Sequence, residues 1–398
     1  MRIWVITHLY PSPKRSRTGF FIHRSLKNLV KQGHQVKVFY FIPWIPQVFR
    51  GSIDNFQSCK FQNKYNIDGV QVIPLFYLPK LSIIFPRISV WQKQLTILRK
   101  IKNNDLVKES PDAVFAQTIY LDAAVSTKVA TFLQIPLIAI MRGSDVHTFP
   151  QRDHRIKSLV TKVISRTNRL LAVSQGLYED AKRIFIQVPE ADVIYNICET
   201  NNFYKNTPIH HPPRRLLFVG AFVPTKGIFV LIEALRELVL DFPDVSLTFV
   251  GEGRSKNELE ARVDKYNLRN HVEFKGFIEN DQMPAIYNAA DIFVFPSFRE
   301  GLPNSVVEAV ACERIVVATD VGGVSEIAPD SPAFLRVPLR NPSAIVQAII
   351  KVFSEDFNKL KHGASDGRNF VLNRFKADVH TSRLEYLLED TIENWKGR

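Results

Sequence analysis

Cysteine is scarce in this chain of 398 residues: Cys59, Cys198 and Cys312 are an odd number and lie far apart. They make no disulfide framework and no metal-ligand spacing, and they point to reduced thiols in a cytosolic protein. Long hydrophobic runs are missing too. None approaches the ~20 residues that a membrane-spanning helix needs. The opening MRIWVITHLYP carries one positive charge and too short an apolar core for a secretory leader, so Ile3 to Thr7 reads as a first strand. The loop after it lacks the three-glycine fingerprint, which disfavours a nicotinamide or flavin enzyme. No Asp-x-Asp pair occurs, and the adjacent His210 and His211 point apart with no third ligand nearby, so no metal site is expected. Acid is sparse in the first half: residues 1–205 hold 29 Lys and Arg against 13 Asp and Glu, while the remainder holds 23 against 26. The first half is therefore net +16 and the second net −3, within a total of +13. Such a basic half can serve an anionic membrane, a phosphorylated substrate, nucleic acid or only solubility. No nucleic-acid motif accompanies the charge, so nucleic acid is not an expected partner.

What is present is a soluble composition, 45% hydrophobic and 23% charged, at a length suited to two domains. Apolar β-branched runs alternate with apolar-periodic segments throughout. In the first half, strands are expected at Ile3–Thr7, Val36–Phe41, Asp112–Phe115, Leu137–Ile140, Leu170–Val173 and Val193–Tyr195. Helices are expected over Ile22–Val30 and Leu121–Phe132 and from Ser174, which reads as an N-cap. The segment Pro79 to Lys102 mixes Ile83, Ile84, Phe85, Ile88, Val90 and Trp91 with Lys80, Arg87, Lys93, Arg99, Lys100 and Lys102, the pattern of a basic amphipathic surface helix or of a core helix with a solvated face. Residues 206–215, NTPIHHPPRR, read as a linker, after which strand–helix alternation resumes at Leu216–Val219. The expectation is an α/β chain of two doubly wound domains, 1–205 and 206–375, facing each other across a cleft, with a C-terminal helix at about 376–398 packing back on the first.

In open α/β sheets ligands bind outside the carboxyl ends of the strands, and helix starts there hold anions. Four stretches fall at such ends. In PSPKRSRTG, Arg17 and Gly19 precede a helix. In MRGSDVHTFP, Arg142, Asp145 and His147 follow a strand and could grip hydroxyls or phosphate, or simply close a turn. In FVGAFVPTKG, Gly220 follows a strand, and Lys226 and Gly227 precede a helix, where a point charge would add to free N–H groups. The fourth, Asp291 to Ile327, places Glu300 in a loop and Glu308 one turn into a helix that begins near Asn304. Two anion-friendly helix starts flanked by two glutamates suit a diphosphate carrying a polyhydroxylated group.

Those stretches, with FVGEG, VEFKGFI, YNAADIFVFPSFREGLPNSVVEAVA and VVATDVGGVSEI, resemble retaining glycosyltransferases of family 4, of the two-domain GT-B fold. Within that family the first half is similar to enzymes of bacterial cell-surface polysaccharide and teichuronic acid synthesis. The resemblance implies that Glu308 binds the donor's ribose, Glu300 the donor sugar and Lys226 the diphosphate. It further implies backbone capping by Leu302, Asn304, Ser305 and Val306, with Gly220, Gly227, Ile278, Arg299 and Gly301 beside the donor. Asp145 and Arg142 would complete the catalytic set, and Gly19, Arg17 and His147 would lie on the acceptor side. It implies transfer of a sugar from a nucleotide diphosphate sugar to an acceptor hydroxyl, on the leaving-group face, with the departing phosphate oxygen helping to take the proton. No cofactor and no metal is implied beyond that co-substrate. A glycan or lipid-linked acceptor, an anionic membrane as a further partner, and a cytoplasmic location at the inner membrane face complete the expectation.

Three positions depart from the family pattern. An arginine often found five residues before the lysine is Ala221 here, and Arg299 or Arg142 is the expected substitute. Many members carry histidine where Arg142 stands. An Asn-Gly turn before the linker is Asn196-Ile197. The alternatives are a nucleotide-sugar epimerase of the same fold, a non-catalytic sugar-nucleotide-binding protein, and a glycoside hydrolase using Glu300 and Glu308 as its carboxylate pair.

Overall fold

The computed structural model describes residues 1–12, 18–43, 64–78, 86–103 and 106–396. Arg17, Cys59, and Lys80, Ile83, Ile84 and Phe85 of the basic amphipathic segment lie outside the described residues. The chain forms two compact units: Met1–Val173 with Leu177–Ile197 and His380–Arg398, and Cys198–Val379 with Ser174–Gly176.

The described residues of the first unit form an eight-stranded sheet, ordered β3-β4-β2-β1-β5-β6-β7-β8. The strands are β1 (Arg2–Thr7), β2 (Gln35–Pro43), β3 (Tyr65–Ile67), β4 (Val70–Tyr77), β5 (Ala113–Ala116), β6 (Leu137–Met141), β7 (Arg169–Ala172) and β8 (Ala191–Val193). All neighbours pair in parallel except β3 with β4, a hairpin at the edge. The central strands β1, β5 and β6 are buried almost end to end, because helices cover both faces of a parallel sheet. The helix Phe20–Lys31 begins from Gly19 at φ 72°, where an added Cβ would meet the Leu9 carbonyl oxygen at 2.5 Å. Close backbone packing accounts for this glycine.

The expected helix over Leu121–Phe132 starts later, at Ala124. Before it, a wide turn, Ile119–Ala123, holds Leu121 at φ 75° and ψ −62°. That strained backbone breaks the helical ladder, which apolar periodicity cannot foresee. The strand expected at Val193–Tyr195 lies instead at Ala191–Val193. The helix Ala377–Lys396 belongs to the first unit from His380 onward. There His380 Nδ1 meets the Tyr195 carbonyl oxygen at 2.6 Å and its Nε2 meets the Ser25 hydroxyl at 2.7 Å.

The second unit carries a six-stranded parallel sheet, ordered β11-β10-β9-β12-β13-β14. Its strands are β9 (Arg215–Val219), β10 (Ser246–Val250), β11 (Val272–Gly276), β12 (Ile292–Phe295), β13 (Ile315–Thr319) and β14 (Phe334–Val337). Its core joins Phe218, Phe222 and Phe249 with Leu231 and Leu235 of the helix Ile228–Asp241 and Ile345 and Ile349 of the helix Pro342–Ser354. Asp291, fully buried, accepts from the amides of His210, Arg214 and Arg215 and from the Arg215 guanidinium. Burial opposes the charge of this carboxylate, and those donors more than offset it, holding its pKa below the usual range. It thus fastens the proline-rich 206–214 stretch to the start of the sheet.

Candidate active site

In the second sheet the strand order reverses at β9, which lies between β10 and β12. Parallel α/β sheets bind ligands at such a switch point, outside the carboxyl ends of the strands. The loops that follow β9 and β12 carry Lys226 and Glu300.

After β9 a single turn, Pro224–Lys226, leads to Gly227 at φ 70°, which starts the helix Ile228–Asp241. A Cβ on Gly227 would lie 1.9 Å from the Pro296 carbonyl oxygen, so glycine lets the two loops meet. Their backbones join where the Phe298 amide donates to Thr225 O at 2.8 Å. Within this junction Lys226 Nζ contacts Glu300 Oε1 at 2.5 Å, and the buried Ser297 hydroxyl donates to the same oxygen at 2.6 Å. Thr319, at the end of β13, in turn donates to the Ser297 carbonyl. Glu300 is 11% exposed and Lys226 27%, so the pair is shielded but open on one side.

The helix Asn304–Ala311 follows Pro303, and no side chain caps it among the described residues. Its first intrahelical bonds run from the amides of Val306 and Val307 to Pro303 O, at 3.1 and 3.3 Å. The Val306 amide, expected to cap an anion, is therefore already engaged, while those of Asn304 and Ser305 precede the ladder. One turn on, Glu308 Oε2 accepts from the Tyr287 hydroxyl at 2.9 Å. Tyr287 is fully buried, and burial together with Glu308 pushes its hydroxyl pKa well above the ordinary value. Tyr287, in the stretch YNAAD, is not among the candidate residues expected from the sequence. Gly220 closes β9 by donating to Val250 O at 3.0 Å, and Ile278 is half-buried just past β11. Arg299 is exposed beside Glu300. Gly301 O accepts from Gly323 N and from the Ser174 hydroxyl at 2.7 Å. Glu326 accepts from the amides of Gln175 and Gly176, both at 2.8 Å, at the start of the helix Gln175–Ile184.

In the first unit Asp145 is buried and accepts from three amides: Ile119 at 2.9 Å, Arg142 at 3.1 Å and Gly143 at 2.9 Å. It ties the turn after β6 to the turn after β5. The Arg142 guanidinium stacks on the Phe21 ring and donates to Gln117 O, Gln117 Oε1 and Asn196 Oδ1 at 2.7 to 3.0 Å. Burial lowers its pKa to about 10 against the pull of Asp145 and Asp122, which leaves it charged at neutrality. With three of its five N–H groups committed to Gln117 and Asn196, Arg142 is a poor substitute for the arginine missing at Ala221. His147 is nearly buried, with its Nε2 3.5 Å from Asp180. Gly19 has been accounted for by packing, and Arg17 lies outside the described residues. Elsewhere in this unit the ligand atoms of His34, Glu385 and Glu389 lie within 4.8 Å of one another. His34 already uses both ring nitrogens, on the Met1 amine and on Glu385.

The second unit thus carries a lysine and two glutamates on the loops and helix at its switch point, a set suited to a phosphorylated, polyhydroxylated ligand. Residues 19–202 match the model of Glycosyltransferase Family 4 and residues 200–369 that of Glycosyl transferases group 1. The chain belongs to these glycosyltransferases and has the GT-B fold. It is 28% identical over 400 residues to a Bacillus subtilis protein named for teichuronic acid biosynthesis, glycosyltransferase TuaC, covering 97% of each chain. Among solved structures it is similar to sucrose-phosphate synthase from Thermosynechococcus elongatus, with a TM-score of 0.77, 17% identity and 99% of each chain covered. It is also similar to Anabaena HepE in complex with UDP, with a TM-score of 0.73, 17% identity, and 98% of this chain and 99% of that one covered.

Proposed function

We propose that this glycosyltransferase takes a sugar from a nucleotide diphosphate sugar and transfers it to an acceptor hydroxyl with retention of configuration and without a metal. The observation that carries the reading is the group built at the second switch point: Lys226 and Ser297 on Glu300, and Tyr287 on Glu308. Lys226 has a ready exchange of partners. When a donor enters, its ammonium moves from Glu300 to the diphosphate, and Glu300, still held by Ser297, turns its freed acceptor capacity to the sugar hydroxyls. Glu308, oriented by Tyr287, accepts from the ribose hydroxyls. The amides of Leu302, Asn304 and Ser305 meet the diphosphate at the helix start. One unit-charge contact of this kind at ~4 Å is worth about 4 kcal/mol at an effective dielectric of ~20, before desolvation. Fixed charge aimed at the leaving group stabilises the transition state more than the ground state. Arg299, exposed beside Glu300, takes the place of the arginine absent at Ala221.

The acceptor in this reading is a glycan on a lipid carrier at an anionic membrane face. Support comes from the helix Pro86–Asn103, which exposes Ile88 and Trp91. Beside it, Arg87, Trp91, Lys128, Lys162 and Arg166 line a recess of ≈ 210 Å³. Lys93, expected on this basic face, is instead buried. No described helix is long and apolar enough to cross a membrane, so association would be peripheral. The experiment is a donor screen, with UDP-glucose, UDP-N-acetylglucosamine and GDP-mannose against alkyl glycosides, and NMR of the product's anomeric centre. The donor's configuration is expected in the product, with turnover unchanged in EDTA. Inversion, or loss of more than half the turnover in EDTA with recovery in Mg²⁺, contradicts the reading.

A further inference from the structure

A groove of ≈ 1610 Å³ lies at the amino-terminal edge of the first sheet, where the chain enters β6 and β7. The helix Ala124–Leu133 and the last turns of the helix Ala377–Lys396 also line it, so every lining residue belongs to the first unit. Open parallel sheets hold their main ligand outside the carboxyl ends of the strands, and a groove at the opposite end of this sheet has no part in that crevice. Its volume exceeds the about 300–1,000 Å³ of a site for a drug-sized molecule, which suits an extended ligand.

Asn168 ties the two strand-entry loops together. Its side-chain oxygen accepts from the Leu137 amide at 2.8 Å, and its own amide donates to the Leu137 carbonyl at 2.9 Å. Gln134 ends the helix Ala124–Leu133 at φ 54°, and its carbonyl oxygen accepts from Trp395 Nε1 at 3.2 Å, which fixes the indole in the groove wall. The side-chain amide of Gln134, the Asn168 Nδ2 group and the cations of Lys128 and Arg166 have no hydrogen-bond or ion-pair partner among the described residues. The Thr131 hydroxyl donates to Thr127 O at 2.8 Å, which leaves its lone pairs to accept. Every lining residue that is exposed is polar or basic, and no described Asp or Glu lines the groove.

An aromatic plane, amides that both donate and accept, and two cations without partners answer three features of one ligand class. Sugar rings offer C–H faces to an aromatic side chain and hydroxyls to amides, and acidic sugars add carboxylates that arginine grips through paired N–H groups. An anionic bilayer would meet the same cations, but it also takes up apolar side chains, and the exposed lining has none. We propose that this groove is a second binding site, for an acidic oligosaccharide, with Trp395 as the stacking platform and Lys128 and Arg166 on its carboxylates or phosphates. Lys128 and Arg166 also line the recess beside Trp91, so the groove continues into it. Its role is to keep a growing chain on the enzyme between transfers. That role rests on the glycan acceptor proposed above, whereas the binding does not.

The test is calorimetric titration of oligogalacturonate into the full chain at physiological salt, with no nucleotide or donor present. Wild type is expected to bind it, and to bind a neutral malto-oligosaccharide of equal length about tenfold less tightly. Trp395→Ala is expected to weaken binding about tenfold or more, and Trp395→Phe to recover part of it. The double variant Lys128→Gln with Arg166→Gln should bring the acidic and neutral chains to equal affinity. Both residues are exposed, so this variant keeps the wild-type unfolding midpoint and decides the matter if Trp395→Ala does not fold. Co-sedimentation with vesicles containing about 30% anionic lipid should be the same for wild type and Trp395→Ala. No binding of oligogalacturonate by wild type, undiminished binding in these variants, or equally tight binding of poly-aspartate overturns the proposal. Loss of vesicle binding in Trp395→Ala gives the groove to the membrane and overturns it too. With no nucleotide present, none of these results touches the donor reading.

Discussion

Tyr287 and Ser297 are the side chains on which the two glutamates depend. Each hydroxyl donates to a carboxylate, at 2.9 Å to Glu308 and at 2.6 Å to Glu300. A hydrogen bond to a charged group contributes about 1.5–3 kcal/mol, and its loss frees the carboxylate to adopt other rotamers. Tyr287→Phe keeps the ring in the core and removes only this donor. Its expected effect is a rise in donor KM of about tenfold, or about 1.4 kcal/mol, with kcat changed much less, since in the proposed reading Glu308 grips the ribose rather than the reacting centre. Steady-state kinetics with saturating acceptor checks it, and an unchanged KM would remove Tyr287 from the account. The residue scale also shows what motif reading leaves out. Glu300 and Lys226 drew attention as candidates because a charged side chain beside glycine at a strand end has few structural duties, and Glu308 because it lies one turn into the helix that follows. Tyr287 was not, because a tyrosine among apolar residues reads as core, which it also is.

At the scale of elements, alternation of apolar runs with helical periodicity located most strands to within a residue or two, and β13 at Ile315–Thr319 as expected. The failures share one cause: backbone that departs from periodic geometry. The turn at Ile119–Ala123 shortens a helix at Leu121, and the β3–β4 hairpin enters the first sheet without being foreseen. Asp145 shows the same limit in a functional stretch, since a carboxylate that closes a turn and one that grips a hydroxyl look alike in sequence. The helix Pro86–Asn103 shows the limit for charge: its basic face was read correctly except at Lys93, which points inward. Its exposed Ile88 and Trp91, with Arg87, Lys128, Lys162 and Arg166 nearby, predict binding to vesicles containing about 30% anionic lipid at low salt, at about 1 kcal/mol per basic residue near the surface. Combined Arg87→Glu and Trp91→Ser is expected to weaken vesicle co-sedimentation by about tenfold or more. Equal binding by wild type and variant would separate this face from the membrane.

Across the whole molecule, the chain returns after Val379 to complete the first unit, and His380 is the buried group at that return. Burial lowers its pKa to about 4, against the hydrogen bond to Tyr195, so the folded ring is neutral where the unfolded one, near 6.5, takes a proton. The stability this provides is complete above pH 6.5 and is lost as the pH falls toward 4, by about 3 kcal/mol over that window. Chemical unfolding at stepped pH should show this slope in wild type, and His380→Gln should flatten it. In the proposed reading, the charge asymmetry between a basic first half and a slightly acidic second half suits an acceptor surface on the one and a nucleotide donor on the other. The most direct measurement of the central claim is calorimetric titration of UDP and GDP, in EDTA, into wild type, Lys226→Ala and Glu308→Ala. The account predicts that at least one nucleotide binds wild type and that each substitution weakens it about tenfold or more. No binding by wild type, or equal binding by all three proteins, would contradict it.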